Sequence, residues 1–322
     1  IISPNTTHFG QYSADFGWIG TINEFDNQSM YQTHFTDEDV LTYIGFEVDP
    51  SDNQIPYNQG WNWIAYTPQL RLDINDALID LDADLNDQFK GQLDGFVFYN
   101  GTEWVGSLEY LYPNQGYMFN SSNSGSFNYP TNGDISLRVL SNLAKEELIL
   151  SRGYPIELPE PALYENSMSI LGSLTSDHMY EFDLYNSLLV ASYNNEIRGI
   201  VDIELYDGLG FAAFLTAYSN DPGEEIILSI YNPDKDEFIP LNNEEILFEA
   251  NGIIGNLSLP LSIIPVEPIP ESYLLSEAYP NPFNPSTMIS YQLPKDVFVS
   301  IKVYNLLGQE IIHLVNKNQS AG

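Results

Sequence analysis

Four oxygen-bearing side chains alternate along one short run and could bind a calcium ion. They are Asp80, Asp82, Asp84 and Asn86. Spacing of this kind is typical of the first ligands of a calcium-binding loop. An EF-hand also needs Gly at its sixth and Glu at its twelfth position, where this chain has Leu85 and Gly91. The run therefore predicts either a looser calcium site or the solvated end of a helix, and calcium is the one cofactor that the sequence suggests.

No residue pattern in the sequence predicts catalysis. Cysteine is absent, which excludes disulfides, thiolate metal sites and a cysteine nucleophile. The four histidines lack the spacing of a ligand pair, and neither a Gly-x-Ser-x-Gly elbow nor a phosphate-binding loop occurs. The 45 acidic residues guarantee close carboxylate pairs, so no particular pair points to a glycosidase. We therefore expect no catalytic residue and no enzymatic activity.

The charge is strongly negative and unevenly placed. With 45 acidic and 10 basic residues, the formal net charge is −35, and phosphate repulsion excludes nucleic acid as a partner. The acidity favours either a solvated surface suited to salty water or divalent-cation binding. From residue 271 onward there are only four acidic and three basic residues. This difference between the two surfaces predicts a domain boundary in the proline-rich stretch 260–270.

An internal repeat organises the first part of the chain. The phrases 18–22 (WIGTI) and 104–108 (WVGSL) lie 86 positions apart, and the pairs Tyr31/Tyr117 and Tyr43/Tyr129 keep that spacing. The sequence therefore predicts one complete copy, preceded by the tail of an earlier copy that begins upstream. Residues that keep the same 86-residue spacing should occupy equivalent places in the two copies, so we expect Trp18 and Trp104 in equivalent buried positions. The alternative for Trp18, Trp61, Trp63 and Trp104 is stacking on sugars.

The complete copy is predicted to be a small β module with one short helix. Asp73 is a plausible helix N-cap, followed by Ile74, Ala77, Leu78 and Leu81 at helical spacing. Asn100-Gly101 between apolar alternating runs predicts a hairpin.

The next segment is predicted to be a β-sandwich. Alternating apolar runs separated by Gly, Asn and Asp turns predict strands near 168–174, 188–193, 196–201, 211–216, 225–231 and 246–248. Arg198, one of few bases in this acidic region, is expected to form an internal ion pair.

A proline-rich stretch near the C-terminus cannot form a helix or a central strand. Its residues are Tyr279, Pro280, Asn281, Pro282, Phe283, Asn284 and Pro285. Three strands follow, separated by turns at 294–296 and 305–308. Such open strands invite pairing with another chain.

These C-terminal residues resemble the start of the type IX secretion (Por) C-terminal sorting domain. The proline motif, the strand ending in Val303-Tyr304-Asn305 and the step Leu307-Gly308-Gln309-Glu310 carry the resemblance. It implies export across the outer membrane, contact with the type IX secretion machinery, and release or attachment at the cell surface. The repeat and the following segment likewise resemble repeat and Ig-like modules of large bacterial surface proteins with this tail. Sorting domains of this kind have further strands, so we expect either that these strands lie outside the sequence or that a neighbouring subunit covers the open strands. A signal peptide is expected upstream of the sequence.

The sequence thus predicts an all-β protein with minor α content: a string of small β-sandwich or Ig-like modules. The predicted boundaries are 1–48 for the partial repeat, 49–153 for the complete repeat, 154–264 for the Ig-like sandwich and 265–322 for the linker and partial sorting domain. No run is long enough to span a membrane. The predicted function is non-catalytic: an extracellular or outer-surface structural or adhesive protein that self-associates or contacts cells or polysaccharide. The alternatives are the accessory C-terminal region of a secreted hydrolase and a carbohydrate-binding module.

Overall fold

The computed structural model describes residues 9–34 except 14 and 23, 48–131 except 93, 156, 159–174, 186–265 except 243, and 272–321 except 280, 283, 284 and 306. The chain forms two compact units, Ile1–Ile264 and Pro265–Gly322. The predicted all-β class with minor α content is confirmed.

The first unit begins with a hairpin of two strands, β1 (Gly10–Ser13) and β2 (Gly17–Gly20). We call residues 9–22 the first hairpin. Its strands place Tyr12 opposite Trp18, and the two rings meet edge to face with centroids 5.7 Å apart.

Residues 48–131 form a module rich in aromatic residues, which we call the aromatic module. After a 3-10 turn at Pro50–Asp52, its elements are β3 (Ile55–Tyr57), β4 (Gly60–Ala65), β5 (Leu72–Asp73), α1 (Ile74–Ala77), β6 (Gln88–Lys90), β7 (Phe96–Tyr99), β8 (Trp104–Gly106), β9 (Tyr110–Leu111), β10 (Gly116–Ser121) and β11 (Gly125–Phe127). Strands β4, β10, β6, β7 and β8 form an antiparallel sheet in that order, β3 pairs with β11, and β5 pairs with β9.

The predicted helix is present but is a single turn. The Asp73 carboxylate accepts a hydrogen bond from the Asn75 N–H (2.9 Å), which confirms Asp73 as the N-cap. Leu78 and Leu81, which we expected on the helix, follow it and are buried. So short a helix is stable here because its buried residues pack against the sheet, and this packing stabilises it more than its intrinsic helix propensity does.

The core of the aromatic module lies against one face of its sheet. Phe89, Tyr117 and Phe119 are fully buried, and Trp104 is 5% exposed. The predicted hairpin at Asn100-Gly101 is also present, since the Asn100 side chain accepts hydrogen bonds from the backbone of Thr102 (2.8 Å) and Glu103 (2.9 Å).

Residues 96–108, which we call the second hairpin, share a set of hydrogen bonds with the first hairpin. The Phe9 carbonyl accepts from the N–H groups of residues 21 (2.8 Å) and 22 (3.3 Å), and the Phe96 carbonyl accepts from those of residues 107 (3.0 Å) and 108 (3.4 Å). A second hydrogen bond links each pair in the opposite direction: the Thr21 hydroxyl accepts from the Phe9 N–H (3.1 Å), and the Ser107 hydroxyl accepts from the Phe96 N–H (3.2 Å).

One glycine in each hairpin makes this arrangement possible. Gly20 and Gly106 have φ values of +147° and +153°, which favour glycine. A Cβ at either position would lie 2.0 Å from the Phe9 carbonyl oxygen or 2.3 Å from that of Phe96.

Residues 159–264 form a two-layer β-sandwich, which we call the sandwich module. After a 3-10 turn at Pro161–Leu163, its strands are β12 (Asn166–Leu174), β13 (Leu188–Tyr193), β14 (Glu196–Asp202), β15 (Glu204–Tyr206), β16 (Gly210–Ser219), β17 (Glu225–Asn232), β18 (Glu237–Pro240), β19 (Ile246–Leu247), β20 (Ile253–Ile254) and β21 (Leu261–Ile263). The order β15-β16-β12-β20 forms one sheet, with β21 also paired to β12. The order β14-β13-β17-β18 forms the other, with β19 paired to β17. All six strands predicted in this segment are present.

A glycine allows the two sheets of the sandwich to approach closely at one place. A Cβ on Gly199 of β14 would lie 2.1 Å from the carbonyl oxygen of Thr216 on β16. Any larger residue at position 199 would push the backbones of β14 and β16 apart, because the contact is with backbone atoms and not with a flexible side chain.

The aromatic and sandwich modules pack face to face. Phe96 and Phe98, on the sheet face opposite the aromatic core, form one buried cluster with Leu171 and Phe214. The Tyr218 hydroxyl adds a hydrogen bond to the Gln92 carbonyl (2.9 Å). The two modules therefore share a core, and residues 132–155 between them lie outside the described residues.

The second unit contains four described strands. They are β22 (Leu274–Leu275), β23 (Tyr291–Gln292), β24 (Val297–Tyr304) and β25 (Glu310–Gln319). Strands β24 and β25 form an antiparallel hairpin with two register shifts, and β22 pairs with β23. We call residues 272–321 the tail unit.

Candidate functional site

The tail unit presents most of its apolar side chains to solvent. Among its described residues, Leu293 and Val299 are the buried apolar side chains. Phe298 on β24 and Ile311 and Leu314 on β25 are half or more exposed. Because the sheet of β24 and β25 has two strands within the described residues, each strand also has an outer edge without a partner strand there. An edge and an apolar face of this kind can bind a further strand.

The predicted proline motif, residues 279–285, precedes strand β23, which in turn precedes this hairpin. Tyr279 and Met288 exchange two backbone hydrogen bonds: the Tyr279 N–H donates to the Met288 carbonyl (2.9 Å), and the Met288 N–H donates to the Tyr279 carbonyl (3.0 Å). The Tyr279 side chain is 80% exposed. Asn281, Pro282 and Pro285 are exposed as well. Pro280, Phe283 and Asn284 lie outside the described residues.

The acidic run 80–87 is used in part to hold a neighbouring turn. The Asp87 carboxylate accepts hydrogen bonds from the backbone and hydroxyl of Ser122 (2.8 and 2.7 Å), and Asp84 accepts from Ser122 (3.3 Å) and from the Asn123 amide. Asp80 and Asp82 are exposed.

No group of three or more His, Asp or Glu side chains is placed to hold a metal within the described part of the chain. The Asn86 amide donates to Ser258 of the sandwich module (2.9 Å). Calcium binding at Asp80, Asp82, Asp84 and Asn86 stays a prediction. A specific site would raise the melting temperature at micromolar calcium, whereas simple screening would make calcium and magnesium equivalent at matched ionic strength.

The tryptophans divide between core and surface. Trp104 is buried against Phe89, as predicted for a core residue. The prediction that Trp18 is equally buried is wrong, because Trp18 is 56% exposed. The two residues occupy the same position in equivalent hairpins, but only the second hairpin is covered by strand β6 and the helical turn of the aromatic module.

The burial of Lys90 at the junction of the aromatic and sandwich modules was not predicted from the sequence. Lys90 follows buried Phe89 on β6 and its side chain lies on the opposite face of the sheet, yet it is buried too. The ammonium donates to the Ser167 hydroxyl (3.1 Å) and the Asn251 side-chain oxygen (3.0 Å), and it lies 4.8 Å from the centre of the Trp61 ring. No carboxylate forms an ion pair with it among the described residues. The only signal in the sequence was the rarity of bases in this acidic region.

Lys90 should make the stability of the first unit depend on pH. Burial lowers the pKa of the Lys90 ammonium from 10.5 to about 7. Between pH 7 and 10 the unfolded chain therefore binds more protons at this residue than the folded chain, so this residue's contribution to stability rises with pH. We expect wild type to gain stability relative to Lys90→Met across this window, by at most on the order of 1 kcal/mol per pH unit. Urea unfolding of both proteins at pH 7, 8.5 and 10 measures the difference, and a constant difference would show that Lys90 stays charged in the fold.

Arg198 forms the internal ion pair that the sequence predicted. Its guanidinium lies 3.2 Å from the Glu224 carboxylate and 3.3 Å from that of Glu196, and it stacks near the rings of Tyr164 and Tyr193. The side chains of Arg198 and Glu224 are about one-tenth exposed, whereas that of Glu196 is 60% exposed. This group therefore has a structural role in fixing the end of β14.

Removing the buried member of this ion pair should cost far more than removing the exposed one. Glu224→Ala leaves a buried guanidinium with only the solvated Glu196 carboxylate, and we expect a loss of about 3 kcal/mol in the free energy of unfolding. Glu196→Ala is the matched control, with an expected loss below about 1 kcal/mol. Denaturant unfolding of both variants measures these values. Equal losses would contradict the assignment of Glu224 as the main partner.

None of the helices in the described ranges has the length and apolar character needed to cross a membrane.

Comparison with known proteins identifies the C-terminal segment. Residues 277–321 match the family model described as the secretion system C-terminal sorting domain. No curated protein and no solved structure matches the chain significantly. The matched range begins just before the proline motif and covers β23, β24 and β25. Residues 277–321 are therefore a type IX secretion C-terminal sorting domain, and the chain that carries them is a cargo of this export system with a cell-surface or extracellular location.

Proposed function

We propose that this exported cargo is a non-catalytic structural or adhesive protein of the cell exterior, built from small β modules in tandem. The observation that carries the proposal is the recurrence of one hairpin with the same hydrogen bonds and the same glycine conformation at residues 9–22 and 96–108. Tandem modules of one design are typical of proteins that span distance or present a long surface.

The packing between the aromatic and sandwich modules supports a stiff arrangement. Aromatic rings of the second hairpin share a buried cluster with the sandwich, and polar contacts lie beside that cluster. One of them joins the Ser107 hydroxyl to the Phe214 carbonyl (3.3 Å). Modules joined by a shared core keep a fixed angle, as a spacer or a lattice subunit requires.

Residues 28–30, which follow the first hairpin, contact the aromatic module in the manner of a β-strand. The Met30 N–H donates to the Trp63 carbonyl (3.4 Å), and the Ala65 N–H donates to the Gln28 carbonyl (3.1 Å). These bonds add residues 28–30 to the free edge of β4. Successive copies joined in this way would extend one sheet from module to module and favour a filament or a layer.

Polysaccharide binding is a second candidate function. It is favoured by the aromatic pair Tyr12 and Trp18, which is exposed in this chain, and it would be lost wherever a further polypeptide segment covers that face. Trp61 is less suited to stacking on a sugar, because the Lys90 ammonium lies over its ring. A role as the accessory region of a secreted hydrolase would use the same scaffold.

A deletion experiment in the producing bacterium tests the proposal. Cells without the chain are expected to lose part of their surface coat or their attachment to surfaces, while the hydrolytic activities of the medium stay unchanged. Complementation with a Trp104→Ala variant should fail because the aromatic module loses its core, and complementation with Glu103→Gln at the exposed neighbouring position should succeed. Loss of a hydrolytic activity with an intact coat would instead favour the hydrolase alternative, and loss of polysaccharide retention alone would favour the carbohydrate-binding module.

A further inference from the structure

The apolar face of the first hairpin has the features of one half of a module core. We propose that this face binds a polypeptide segment with the pattern of residues 55–90, carried as a further repeat copy on the N-terminal side of Phe9 in the same polypeptide. The inference does not rest on the proposed structural or adhesive role, because it concerns only how the hairpin is covered.

The shared hydrogen bonds fix which positions of the two hairpins correspond. Phe9 corresponds to Phe96 and Gly20 to Gly106, because each pair makes the same backbone contacts. Trp18 therefore corresponds to Trp104. The turn of the first hairpin is one residue longer, so positions before the turn differ by 87 and positions after it by 86.

The second hairpin shows what covers this face in a complete module. The Asn75 side chain, from the helical turn, accepts from the Trp104 N–H (2.6 Å) and donates to the Trp104 carbonyl (3.3 Å). Phe89, from β6, packs on the Trp104 ring with centroids 6.1 Å apart. Both covering residues lie within 55–90. With this cover Trp104 is 5% exposed, and without it Trp18 is 56% exposed.

The contacts of the first hairpin indicate where the covering segment is attached. On its C-terminal side, residues 28–30 already pair with β4 of the aromatic module. In that module the covering strand β6 ends at Lys90, and residues 91–95 lead directly into the second hairpin. A covering segment joined in the same way must therefore enter next to Phe9.

A second copy of this chain is a less favourable occupant. Its residues 55–90 already cover its own second hairpin, and moving them would expose as much apolar surface there as it covers here. The source of the covering segment is therefore a repeat copy in the same polypeptide.

Single cysteines can test this cover, because the chain has none of its own. Residues 49–95 are fused directly before Phe9 in place of residues 1–8, and the rate of maleimide modification is measured in native and fused chains. Gly10→Cys reports the core face, since it corresponds to buried Val97. Phe16→Cys, at the 79% exposed tip of the turn, is the matched control.

In the native chain we expect Gly10→Cys and Phe16→Cys to react at similar rates. In the fusion, Gly10→Cys should react more slowly by about tenfold or more, with Phe16→Cys unchanged. Alanine in the fused copy of Phe89 should restore the fast reaction. Val97→Cys made in the same fusion should stay protected, which shows that the fused chain folds.

Two results would overturn the proposal. One is an unchanged Gly10→Cys rate in the fusion while Val97→Cys in the same fusion stays protected. The other is protection of Gly10→Cys in the native chain that increases with protein concentration, which would assign the face to a second copy.

Discussion

Trp104→Ala is expected to lower the free energy of unfolding of the first unit by about 3–5 kcal/mol. The Trp104 ring is 5% exposed and packs against Phe89, Tyr99 and Phe119, with ring centroids 5.3 to 6.2 Å apart. Removing it loses the transfer free energy of a large apolar side chain and leaves a cavity that the surrounding β-sheet can close only in part.

The first hairpin supplies a matched control for this prediction. Trp18 occupies the same position in a hairpin with the same hydrogen bonds but is 56% exposed, so Trp18→Ala should cost less than about 1 kcal/mol. Urea unfolding followed by far-ultraviolet circular dichroism measures both variants. A loss below about 1 kcal/mol for Trp104→Ala, or equal losses for the two variants, would contradict the core assignment.

Removing residues 277–321 is expected to abolish delivery of the chain to the cell exterior. These residues form the sorting domain, and its hairpin β24–β25 presents an apolar face and open edges that a transport component can bind. Fractionation and protease treatment of intact cells measure delivery. Lys302→Gln is the matched control, because it removes only an exposed ion pair with Glu310 (2.7 Å) and should leave delivery intact.

The reciprocal fusion makes the same prediction sharper. Residues 265–322 fused to a fluorescent reporter with a signal peptide should carry the reporter to the exterior. Surface delivery of a chain without residues 277–321 would show that its export signal lies elsewhere.

Local sequence patterns predicted much of the fold because their causes are local. The alternation of apolar residues predicted every strand named in advance for the sandwich module, and Asp73 was recognised as an N-cap from its side-chain chemistry alone. Arg198 could be assigned to an ion pair because a base among many carboxylates has many partners within reach.

Contacts between modules could not be predicted in the same way. Phe96 and Phe98 belong to the apolar run before the predicted hairpin, but nothing in the sequence identified Leu171 and Phe214 as their partners. Lys90 was missed because its burial depends on this distant module. Trp18 shows the converse: it stands in a similar local phrase but lacks the cover that buries Trp104, since burial depends on the surroundings of a strand and not on the strand alone.

Immunogold electron microscopy of the producing cells tests the central claim most directly, with antibodies against residues 49–264. A structural or adhesive cargo should appear as gold aligned along filaments or a continuous coat outside the outer membrane, and this pattern should vanish when residues 277–321 are deleted. Gold confined to the cell interior, or protein found only as free monomers in the medium with no surface structure, would contradict the account.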